Sequence, residues 1–86
     1  MKLDNRTAEL IAVGASVTAN CQPCLQYHAR KALEGGAAER EVAAAIEIAR
    51  LVRKGAATNM DKFAADLNWS VPFAVTHVEA GCGCAS

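Results

Sequence analysis

Cys21-Gln22-Pro23-Cys24-Leu25-Gln26-Tyr27-His28 brings two thiols and an imidazole into one short stretch. Two thiols a helical turn apart can close a reversible disulfide, and an imidazole one further turn along can manage the proton. Positions 21, 24 and 28 have the i, i+3, i+7 spacing that sets three side chains on one helix face. Pro23 suits the first turn of a helix, where its missing N–H costs nothing. Cys21 is thereby expected at or near the N-terminal end, where unpaired N–H groups and the helix dipole favour a thiolate. His28 adds most to the pattern, because a base near a thiol deprotonates it and can return the proton to a leaving alkoxide.

Glu9 is the only acid between Asp4 and Glu34. A carboxylate in the middle of an apolar helix is costly to bury without a partner. If the first two helices pack antiparallel, Glu9 can orient His28, directly or through water; its plainer alternative is a solvated or interface acid. The same residues admit a metal site. Cys21, Cys24 and His28 would give three ligands, with Cys82, Cys84 or His77 as a fourth, a set that suits zinc. All three N-terminal ligands would then lie on one helix, and the tail would have to return to it. A chance grouping of small buried residues is the blandest alternative, and the shared face and spacing speak against it. Cys82 and Cys84, flanked by glycines, read as an accessory dithiol able to exchange disulfides, with a soft-metal site or a plain tail as alternatives. His77 reads as a surface or interface histidine, and Trp69 and Phe73 as packing anchors.

The elements that position these groups come from a short chain. Its 86 residues make one domain, and at that length folding buries roughly 60–65% of the unfolded surface, so a lone core is marginal. Yet 52% of the residues are hydrophobic and only 5% aromatic. Small side chains let helices approach closely, and so much apolar surface on so short a chain predicts burial between subunits, hence a homo-oligomer. Nine basic residues balance nine acidic ones, with no basic patch or face to attract nucleic acid or an anionic membrane. Leu10 to Ala29 carries no formal charge, but Asn20, Gln22, Pro23, Gln26 and His28 make its second half too polar for a bilayer core. Asp4 and Glu9 likewise disfavour a signal peptide over the apolar 10–19 stretch. The chain reads as mature and cytoplasmic, where a close cysteine pair is more often redox-active or metal-binding than a structural staple.

A first helix is expected over about 5–20, with Asp4 or Asn5 as N-cap and apolar residues most of the way round. A second begins at Cys21 or Gln22 and stops at Gly35-Gly36. A third starts near Ala38, carries the stripe Val42, Ala45, Ile46, Ala49 and Val52, and closes on Arg50, Arg53 and Lys54. Gly55 weakens it, and Thr58-Asn59-Met60-Asp61 resembles a capping box, so a fourth helix is placed over 59–67. Residues 1–67 form the helical domain. Residues 68–86 form an irregular or extended tail, in which Pro72 argues against a regular helix and Gly81-Cys82-Gly83-Cys84 supplies a second thiol pair.

Glu9, then Cys21-x-x-Cys24 twelve residues on, then His28, resembles the alkylhydroperoxidase D-like branch of the carboxymuconolactone decarboxylase superfamily. The apolar helix before Cys21, the His28-x-x-x-Ala32 continuation, Gly35-Gly36-Ala37 and the acidic opening at Glu39 and Glu41 extend the likeness over roughly residues 5–67. The resemblance implies an all-α bundle of about four helices that oligomerises as a trimer or hexamer and uses no cofactor. It implies that the cysteine pair reduces alkyl hydroperoxides or disulfides and is re-reduced by a dithiol protein or small thiol. Carried over by position, Cys24 attacks the peroxide, Cys21 resolves, and Glu9 and His28 form the proton relay. The dipole favours the lower pKa at Cys21, whereas the relay is nearer Cys24; for exchange with a partner's disulfide, exposure is expected to favour Cys21. This chain has Pro23 where the peroxidase prototype has a histidine, and it lacks the prototype's N-terminal half. Decarboxylase members lack the cysteine pair, so decarboxylation of a muconolactone is not expected.

Overall fold

The structure, a computed structural model, describes residues 2–67 and Trp69. It is all-helical among these residues: α1 Asn5–Thr18, α2 Gln22–Glu34 and α3 Glu39–Asp66. The tail with His77, Cys82 and Cys84 lies outside them.

Asp4 is the N-cap of α1, its carboxylate accepting from the Thr7 N–H at 2.7 Å. That hydrogen bond holds the Asp4 carboxyl below its ordinary pKa, since a donor to the charged form favours it. The expected continuation of α1 to Asn20 stops short. Asn20 instead takes a left-handed φ of 58°, while its N–H donates to Val17 O and the Cys21 N–H to Ser16 O, both at 3.0 Å. These are the two bonds of a Schellman closure, in which asparagine is one of the few side chains tolerated at the left-handed position. The same closure ends α2. Gly36, at φ 102°, donates to Leu33 O at 3.1 Å and Ala37 to Ala32 O at 2.9 Å.

At the start of α3, Glu41 reaches back to accept from the Ala38 N–H at 2.9 Å. Alanine offers no side-chain acceptor, so only this half of a capping box is made. The other Glu41 oxygen accepts from Arg6 at 2.9 Å, tying α3 to α1.

One long α3 replaces the expected third and fourth helices, so the described residues form three helices rather than about four. Gly55 costs about 1 kcal/mol in a helix interior, and good helix formers on both sides carry the helix through it. The potential cap at Thr58 has no chain end to cap. Arg50, Arg53 and Lys54 therefore fall in the middle of α3 and not on its closing turn.

Helix α1 is the centre: α2 and α3 both pack on it and hardly touch each other. The core is thin. Val13, Ala32, Ala37 and Val42 form it, with Leu10, Leu25, Ala29, Ala45 and Ile46 packed around, and Val13 is its one large side chain out of solvent altogether. Of the expected α3 stripe, Val42 and Ala49 are buried, Ala45 and Ile46 half-buried and Val52 exposed. Every residue from Arg50 to Leu67 is exposed, because α3, about 42 Å long at 1.5 Å per residue, outruns the two shorter helices. Among the described residues no helix is both long and apolar enough to cross a membrane.

Candidate active site

Cys21 sits at a junction. Its N–H completes the closure of α1, and its side chain is the N-cap of α2, Sγ accepting from the Cys24 N–H at 3.3 Å. The expected place at the helix start is borne out, with Pro23 in the first turn. Cys21 and Cys24 are joined by a disulfide, their Cα atoms 5.2 Å apart. Cys24 is exposed and Cys21 half-buried, so exposure by itself favours Cys24, contrary to expectation. The cause is the double tether: the backbone of Cys21 is drawn in under the end of α1, while Cys24 rides the outer side of the first turn.

One turn beyond Cys24, His28 meets Glu9 across the α1–α2 interface, Nδ1 to Oε1 at 2.7 Å. Their side chains are 32% and 25% exposed, sheltered enough for the contact to hold and open enough for protons to exchange. An ionised carboxylate can only accept, so the Nδ1–H donates to it. Nε2 is left as the basic nitrogen, and the carboxylate fixes ring orientation and tautomer as in other His–carboxylate pairs. The ring also packs edge-on against Tyr27, centroids 5.0 Å apart.

Arg53, expected only as a closing charge of the third helix, has a different part here. From α3 its Nη1 donates to Val17 O at 2.9 Å and to Asn20 Oδ1 at 2.8 Å. These are the last turn of α1 and the left-handed residue immediately before Cys21, so one guanidinium clamps the strap that presents the disulfide. Asparagine after an apolar helix is a readable stop signal; a partner more than thirty residues away leaves no local trace.

Beside Cys21 lies an open depression of about 1050 Å³ between the start of α2 and the middle of α3. Cys21, Leu25 and Ile46 line one part and Glu47, Arg50, Arg53 and Lys54 another. Among the described residues, no three His, Cys, Asp or Glu side chains are gathered as a metal site. The other proposed ligands, Cys82, Cys84 and His77, lie outside those residues.

Comparison with known proteins gives one match: the model of the carboxymuconolactone decarboxylase family covers residues 1–66. No curated protein and no solved structure matches the chain.

Proposed function

The chain belongs to the carboxymuconolactone decarboxylase family, and from that we propose that it is a thiol-dependent antioxidant oxidoreductase reducing alkyl hydroperoxides, or disulfides, through Cys21 and Cys24. The observation that carries the proposal is a disulfide at the N-terminus of α2 with a carboxylate–imidazole pair one turn further along. The cysteine pair has no role in a decarboxylation, whereas the pair and the relay each have a place in peroxide chemistry.

In the reduced enzyme the exposed Cys24 thiolate attacks a peroxide oxygen. The O–O bond breaks, the alcohol leaves with a proton delivered by His28, and Cys24 becomes a sulfenic acid. Cys21 then attacks the Cys24 sulfur, the disulfide forms and water departs. A dithiol protein or small thiol returns two electrons and two protons. Glu9 holds the imidazole at Nδ1, so that Nε2 takes the proton of the Cys24 thiol and returns it to the leaving alkoxide. The N-cap hydrogen bond to Cys21 Sγ supports the thiolate on the resolving residue, where it speeds attack on the sulfenic acid. Cys82 and Cys84 serve as an accessory dithiol that relays electrons to this pair.

The enzyme works as a homo-oligomer, trimer or hexamer, in the reducing cytoplasm. The face that α3 buries through Val42, Ala45 and Ala49 continues, at spacings of three and four, through Val52, Ala56, Met60, Phe63 and Leu67, all exposed. An apolar stripe of that kind on a thin-cored chain fits a partner helix.

The test is turnover of an organic hydroperoxide with a dithiol supply. Loss of turnover in Cys24→Ser is expected, and unchanged activity would sink the assignment.

A further inference from the structure

The depression beside the disulfide is not electrically neutral, although the chain is. Arg50, Arg53 and Lys54 face it together with one carboxylate, Glu47. Glu47 is engaged by Arg50 at 3.5 Å, and Arg53 is anchored on Val17 O and Asn20 Oδ1, neither of them charged. Three cations against one carboxylate leave a formal surplus of two positive charges. The N-terminus of α2 opens on the same space through Cys21 and Gln22 and adds its positive dipole end. Leu25, Ile46 and Leu51 make part of the lining apolar, and Ser16, Asn20 and Gln22 are its neutral polar residues. Of the two disulfide cysteines, Cys21 lines this depression and Cys24 does not.

We propose that this depression is the reductant site and selects a small thiol or dithiol bearing a carboxylate, which opens the disulfide by attack on Cys21 Sγ. The carboxylate pairs with Arg50 and Lys54 at the cationic end, and the hydrocarbon part lies on Leu25 and Ile46. The incoming thiolate bonds to Cys21 Sγ, the Cys21–Cys24 bond breaks, and Cys24 leaves as a thiolate on the relay side. The second thiol of the dithiol, or a second molecule of a monothiol, then attacks the reductant's sulfur in the mixed disulfide and expels Cys21 as a thiolate. The reductant leaves as its disulfide, two electrons poorer, and its two protons end on the two cysteines. Reductant and peroxide thereby meet the pair from different sides, the first at Cys21 and the second at Cys24. The assignment rests on the disulfide-cycling function proposed above.

Three small thiols of similar size test it: 3-mercaptopropionate, 2-mercaptoethanol and cysteamine, which are anionic, neutral and cationic. The opening of the Cys21–Cys24 disulfide in the full chain is followed by acid quench and cysteine mapping. Each rate is taken per thiolate and divided by the rate of the same thiol with bis(2-hydroxyethyl) disulfide. At low salt the anionic thiol should lead the neutral one by about fivefold and the cationic thiol should trail it, with the spread closing in high salt. Lys54→Glu should bring the anionic-to-neutral ratio to one or below, and Arg50→Gln should lower it part of the way. Equal normalised rates in the wild-type protein overturn the proposal, as does a preference that survives Lys54→Glu. A parallel arm treats the reduced protein with an organic hydroperoxide. If the Cys21–Cys24 disulfide re-forms there while the thiols show no charge preference, the charged reductant site falls and the peroxidase function stands. If the pair neither opens to any thiol nor re-forms with peroxide, both fall.

Discussion

Glu9 Oε1 accepts a hydrogen bond from His28 Nδ1 at 2.7 Å, joining the middle of α1 to the second turn of α2. The contact does two jobs at once. It gives an acid on an otherwise apolar helix a partner, and it leaves Nε2 as the nitrogen that can exchange protons with the reaction.

Replacing Glu9 by Gln keeps the shape and can keep one hydrogen bond, but removes the charge that stabilises the imidazole as it takes up a proton. Peroxide turnover should drop about 10- to 100-fold, as is usual when a histidine loses its carboxylate partner. Thermal stability should change little. The check is kcat/KM for an organic hydroperoxide with circular dichroism alongside; full activity in Glu9→Gln would remove the relay.

The two glycines nearest the questions of helix length should respond in opposite senses. Gly36 has φ 102°, a conformation costly to an L side chain, so Gly36→Ala should destabilise by about 1–2 kcal/mol. Gly55 is inside α3 with open space where a Cβ would go, so Gly55→Ala should stabilise by about 0.5–1 kcal/mol. Chemical denaturation of both variants reads the difference. A loss of stability in Gly55→Ala would mean that α3 is broken there after all.

Arg53 tethers the end of α1 and the strap before Cys21. Arg53→Gln should cost about 1–2 kcal/mol, the worth of hydrogen bonds from a charged donor, and lower the melting temperature by about 5–10 °C for a chain of this size. Arg53→Lys should recover part of that loss, since one of the two bonds can be remade. Identical melting curves for Arg53→Gln and the wild type would show that the clamp carries no weight.

The exposed α3 stripe predicts self-association. Sedimentation at micromolar concentration should give a trimer or hexamer, and Met60→Glu with Phe63→Glu should give a smaller species that keeps its helical spectrum. A wild-type chain that sediments as a monomer would contradict the assignment.

Much of the site was legible because it is local. Cys21, Cys24 and His28 are written into one face by spacing, Pro23 marks the first turn, and Gly35-Gly36 marks the end of α2. Glu9 was legible for a different reason: an isolated acid in an apolar run calls for a partner. The third helix was misread because Gly55 and Thr58 carry genuine stop signals that the propensity of their neighbours overrides. The clamp made by Arg53 was invisible, since its partners are brought to it only by the packing of α3 on α1. The relative exposure of the two cysteines also depended on a tertiary detail, the left-handed turn at Asn20 that tucks Cys21 under α1.

The most direct measurement of the central claim is differential alkylation of the fully reduced chain before and after one equivalent of an organic hydroperoxide, with all four cysteines mapped by mass spectrometry. The peroxidase function predicts that Cys21 and Cys24 lose their free thiols together and that a Cys21–Cys24 disulfide appears, one for each peroxide consumed. Cys21 and Cys24 remaining fully alkylatable while peroxide persists would contradict it.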